Sequence, residues 1–153
     1  MEMNGAQKSI GAEDLLRHVL ATLKFRFDIA IAGVNEEYPG FEAGNGVRTP
    51  VVLVAHMANV LQSAHTAMTG ELHDRGETGT WEEETARFYR IIEKLDQAVP
   101  AGLTQSRETI EKVVQGPLSD AMTHIGQLLV IRRMAGDPAS GANYFKAAIK
   151  SGK

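Results

Sequence analysis

The chain has 153 residues, the size of one ordinary domain, and a compact fold of that length buries roughly 68–70% of the surface its unfolded chain exposes. Its 43% hydrophobic and 23% charged content excludes a disordered, collagen-like or low-complexity protein. Sixteen Lys+Arg against nineteen Asp+Glu argue against nucleic-acid binding through phosphates, and the lack of cysteine excludes disulfides, thiolate metal sites and cysteine nucleophiles.

The start, Met1–Gly11, has neither the basic residues nor the apolar stretch of a signal peptide. The longest apolar runs, Ile29–Val34 and Val51–Ala55, are too short to span a bilayer. The expectation is a soluble, cytoplasmic protein with no membrane partner, a single domain over 1–153 and a flexible segment over 1–11. From about Ala12 to Ala32, Leu16, Val19, Leu20, Leu23, Phe27, Ala30 and Ile31 recur at helical spacing. The stretch Val34–Thr49 is rich in glycine and charge and reads as a long loop. Its Gly40, Gly44 and Gly46 lack the Lys and Ser/Thr that complete a phosphate-binding loop.

Pro50 opens a second helix to about Thr69, since the apolar pattern continues through Met57, Val60, Leu61 and Ala64, past the length of a strand. Thr80-Trp81-Glu82-Glu83 has the form of a capping box. Behind it Trp81, Thr85, Phe88, Ile92, Leu95 and Val99 repeat at 4-3-4-3-4 spacing, with Arg87, Arg90, Glu93, Lys94 and Asp96 on the outer side. The prolines, Pro100 and Pro117 among them, are read as separators between periodic segments. A short helix over Gln105–Gln115 follows, Pro117 opens another long helix to about Ala135, and Asn143–Lys150 forms a short terminal helix. The sum is an all-α protein: a four-helix bundle with a short extra helix and a C-terminal helical tail.

Two helices carry polar residues that break the apolar pattern. His56 and Asn59 interrupt the second, and a buried imidazole needs a hydrogen-bond partner or a ligand; a satisfied core histidine is the competing reading. On the last long helix, Asp120, His124 and Gln127 fall within roughly 60° of one another on one face. A carboxylate and an imidazole at i and i+4 can share one metal ion, and this donor pair suits Zn, Ni, Mn or Fe. A solvated polar face would show the same spacing, since Leu118, Met122, Ile125 and Leu129 form the main apolar stripe nearly opposite. Gly126, inside the helix, reads as a point of close approach. His65 lies about 180° around the second helix from His56; His18 and His73 read as solvated. Arg132 and Arg133 fit the helix dipole and snorkelling.

The run His124-Ile125-Gly126-Gln127 resembles the His-Arg-Gly-Gln signature on the last bundle helix of the DinB/YfiT-like superfamily. His56 after its apolar run is similar to that family's first ligand position. Thr80-Trp81-Glu82-Glu83 and Arg132-Arg133-Met134-Ala135-Gly136 also look like members, so the resemblance spans roughly Leu15 to Ile149. It implies a four-helix bundle of DinB/YfiT type with a divalent metal held by His56, Asp120 and His124, Zn or Ni ahead of Mn or Fe. It further implies a transferase, isomerase or hydrolase acting on a small molecule, with a low-molecular-weight thiol as cosubstrate, Gln127 and Asn59 orienting ligands or substrate, and a homodimer. The alternative is a stress-associated, non-catalytic scaffold with a vestigial site. Two positions depart from the pattern: many members have His where Asp120 stands, and Ile125 stands where Arg is usual.

Overall fold

The computed structural model describes residues 9–152. Of the expected flexible segment 1–11, residues 1–8 lie outside the described residues. The described chain is all-helical, with no strand among the described residues: α1 (Ala12–Ile31), α2 (Pro50–Thr69), α3 (Trp81–Gly102), α4 (Arg107–Val113) and α5 (Ser119–Met134). No helix among them is long and apolar enough to cross a membrane. The all-α bundle read from the sequence is the fold observed.

The four long helices are arranged so that α1 packs against α3 and α5, and α2 packs against the same two from the other side. Each long helix contributes the residues its period requires. Leu16, Leu20, Leu23 and Phe27 come from α1, Leu53, Met57 and Leu61 from α2, Phe88, Ile92 and Leu95 from α3, and Leu118, Ile125 and Leu128 from the last helix and the turn before it. Phe27 and Phe88 stack at the centre, ring centroids 3.8 Å apart. The long α1–α2 connection is pinned by Tyr38, which is fully buried and donates its hydroxyl to the Leu128 carbonyl at 2.8 Å. Without that bond a buried phenol hydroxyl would be unpaired.

The capping box forms as its sequence predicts. Thr80 Oγ1 accepts from the Glu83 amide at 3.2 Å, and Glu83 Oε2 accepts from the Thr80 amide at 2.8 Å. At the far end of α2, Gly70 adopts φ +78°, a left-handed cap that its missing Cβ permits.

Several expectations need correction. Pro100 lies inside α3 rather than beyond it. It stands in the last turn, exposed, where one lost amide is tolerated, and the Leu103 amide still closes on the Val99 carbonyl. Pro117 does not open a helix, because the chain stays helical through it by way of a wide π turn over Val114–Leu118. Ser119 Oγ donates to the Val114 carbonyl at 2.7 Å inside this turn. The expected helix over Asn143–Lys150 is a single turn around Tyr144, too short to sustain helical cooperativity. Its Tyr144 ring packs instead on Arg26, 3.8 Å from the guanidinium carbon, and edge-on to Phe25.

Arg132 is not a snorkelling surface residue. It is 3% exposed, and its guanidinium donates to the Ala30, Ala32 and Asp137 carbonyls and pairs with the Asp137 carboxylate. It thereby satisfies carbonyls at the C-terminal end of α1 that the helix itself leaves open. Arg87 likewise turns inward from its predicted outer face. It pairs with buried Glu84 and reaches Ala55 O, Asn59 Oδ1 and Gln62 Oε1 of α2.

Candidate metal centre

Two helices build the site, α2 supplying His56 and α5 supplying Asp120 and His124. Pro50 at the first helical position sets the start of α2, and His56 follows in its second turn, half-buried. On the other side, the π turn inserts one residue relative to the α-helical period. Everything after it is re-aimed by about 100° relative to α4. Within α5 itself the buried face runs through Ala121, His124, Ile125, Leu128 and Ile131, rather than along the Leu118–Met122–Ile125–Leu129 stripe read from the sequence. His124, 7% exposed, stands at the edge of that face, and Asp120 one turn earlier is half-exposed.

One donor atom from each of His56, Asp120 and His124 lies within 4.8 Å of the other two. Asp120 Oδ2 is 3.4 Å from His56 Nε2 and 3.2 Å from His124 Nε2. The two imidazole rings meet edge-on, centroids 4.9 Å apart. A tetrahedral ion with donor bonds of about 2.0–2.2 Å needs its donors about 3.3–3.6 Å apart; the 3.4 Å separation lies in that range and the 3.2 Å one just below it.

The proton inventory fits as well. His124 Nδ1 lies 2.7 Å from Gln127 Oε1, an acceptor, so the ring proton sits on Nδ1 and the lone pair on Nε2. That Nε2 is buried and has no hydrogen-bond partner. A lone pair facing a carboxylate oxygen at 3.2 Å is repulsive unless a proton or a cation stands between them. His56 is held below the ordinary histidine pKa, first by burial and then by the positive charge of Arg48 and by His124, against the opposing hydrogen bond to Asp120. It is therefore a neutral donor near pH 7.

The remaining sequence candidates fall elsewhere. Asn59 Oδ1 accepts from Arg87 at 2.7 Å, within the α2–α3 network, and makes no hydrogen bond to the three ligand candidates. Gly126 does not serve close approach: its face is open, with nothing within 4 Å of where a Cβ would stand. His73 is not simply solvated, because its Nε2 lies 2.9 Å from Nδ1 of the buried His65. His18 is exposed, as read.

Beside Asp120 an open cleft of about 470 Å³ lies between α2 and the π turn, with Val60, Ser63, Pro117, Ser119 and Thr123 in its walls. A larger cleft, about 790 Å³, lies between α1 and α3 and includes no member of the triad. Of the charged residues in it, Arg17 is paired with Asp96 and Lys24 with Asp28. The cleft beside Asp120 was not legible in the sequence; Pro117 within a helical stretch was its one visible trace. Compared with protein-family models, curated proteins and solved structures, the chain finds no match in any of the three.

Proposed function

We propose that this chain is a divalent-metal-dependent enzyme of the DinB/YfiT-like kind, with His56, Asp120 and His124 as its metal ligands. The observation that carries this reading is His124 Nε2, a buried lone pair with no hydrogen bond, aimed at a carboxylate that a neutral imidazole alone cannot satisfy. The mixed nitrogen and oxygen donor set suits Zn or Ni, then Mn or Fe.

A divalent ion held by these three donors would supply Lewis acidity toward a small substrate, a low-molecular-weight thiol or a water. The chain's own residues do the rest. Gln127 fixes the tautomer and the ring orientation of His124. Both imidazole contacts of Asp120 go to Oδ2, which leaves Oδ1 to accept a proton or a hydrogen bond from a molecule in the adjoining cleft. With no cysteine in the chain, a thiol would come from a cosubstrate.

A second reading, a non-catalytic bundle that pairs with another copy or a partner, draws on Val130 and Met134, one turn apart on α5 and 57% and 55% exposed. Metal content of tag-free protein by mass spectrometry separates the two. Close to one ion per chain, lost in both His56→Ala and His124→Ala with helical circular dichroism unchanged, supports the metalloenzyme. No ion after incubation with Zn²⁺, Ni²⁺ and Mn²⁺ overturns it.

A further inference from the structure

The cleft beside Asp120 has a charged neighbour that nothing in the fold consumes. Arg75, in the α2–α3 connection, rests its Nη2 on the Asn59 carbonyl at 3.2 Å and on the Ser63 hydroxyl, a wall of that cleft. Both acceptors are neutral oxygens. Among the described residues no carboxylate pairs with Arg75, and its Nε and Nη1 make no hydrogen bond. The other hydroxyls of the cleft are engaged with their own backbone: Ser119 donates to Val114 O and Thr123 to Ser119 O. A ligand entering here meets the neutral carboxamide of Gln115 and, beside Ser63, the charged free edge of the Arg75 guanidinium. Arg48, two residues before α2, is exposed and, among the described residues, also lacks an ion pair, and its charge reaches His56.

A guanidinium with free N–H groups at the rim of a cleft is suited to a carboxylate, which it binds through charge-assisted hydrogen bonds. Val60 and Pro117 offer apolar surface for a short carbon chain. We infer that the cleft takes a small organic acid whose carboxylate is held by Arg75 and whose other end lies beside Asp120. The inference rests on the metal reading for the chemistry at that end, and names its substrate class. The binding itself depends on Arg75, which is not among the ligand candidates.

The test titrates butyrate, and n-butylammonium as its cationic counterpart, into Zn²⁺-treated and metal-free protein, following backbone amide shifts by NMR. The expected result is that butyrate moves the Ser63, Gly116 and Thr123 amides, and that n-butylammonium does not. Arg75→Gln should weaken butyrate at least about tenfold, the loss of one charge-assisted hydrogen bond, while Arg75→Lys keeps part of the affinity. Zinc content is read on the same samples. Bound zinc with butyrate indifferent to Arg75→Gln, or with n-butylammonium binding equally well, overturns the inference alone. No zinc, with butyrate still weakened tenfold by Arg75→Gln, overturns the metal reading and leaves the carboxylate site standing. Neither zinc nor an Arg75-dependent response overturns both.

Discussion

His124 Nε2 and Asp120 Oδ2 stand 3.2 Å apart on successive turns of α5 with no hydrogen bond between them. The reason lies on the other side of the ring, where Gln127 Oε1 accepts a hydrogen bond from Nδ1–H. One carboxamide thus decides that the imidazole faces Asp120 with its lone pair. Replacing Gln127 with Leu should free the ring and lower zinc affinity by about 10–100-fold, the usual cost of removing a partner that orients a ligand. Zinc competition with a chromophoric chelator would measure it. Unchanged affinity would mean that Gln127 does not orient the ligand.

Asp120→His places a third imidazole at the position where the resembling family usually has one. Zinc affinity should be kept or raised, and Asp120→Ala should lower it. A clear loss in Asp120→His would assign Asp120 a role other than ligation.

Arg132 is the most consequential structural charge outside the candidate centre. Arg132→Met keeps much of the stem but abandons the Ala30 and Ala32 carbonyls and the Asp137 carboxylate. Breaking such a buried arrangement costs about 3–5 kcal/mol. Urea denaturation should show a lower midpoint, and a change under about 1 kcal/mol would contradict this account.

The arginine pair at 132–133 marks where sequence reasoning reached its limit. Periodicity located α1, α2 and α3 to within a few residues at each end, because in each the apolar 3.6-residue pattern persists over the whole length, past His56 and Asn59 in α2. It placed Asp120, His124 and Gln127 on one face for the same reason. It did not show that Arg132 is buried, since that follows from where the end of α1 falls, a tertiary fact. The buried Glu84 depends likewise on Arg87 reaching back to α2. The buried face of α5 was not legible because Met122 and Leu129 are as apolar as the residues it buries, and which side the neighbouring helices cover is again a tertiary fact.

Acid should loosen the metal-free protein in a definite direction. His65 is held below the ordinary 6.5, first by burial, with His73 and Lys94 adding to it and Glu71 opposing. His56 is shifted the same way. A histidine whose folded pKa is depressed binds fewer protons folded than unfolded, so stability falls as pH drops through 6.5 toward the folded value. Urea midpoints at pH 7.5 and pH 5.5 should differ in that sense, and by less in His65→Gln. A midpoint independent of pH across that interval would be inconsistent with both shifts.

The wide turn at Val114–Leu118 also acts as a phase buffer. A continuous α-helix would lock the apolar face of α4 to that of α5, so any residue gained or lost upstream would propagate as a rotation of His124. Here α5 is fixed by its own contacts with α1 and α2, and α4 has only seven residues with which to resist. Changes in the length of the α3–α4 connection are therefore absorbed before residue 119, and the His56–Asp120–His124 cluster is insulated from drift in the loops that lead to it.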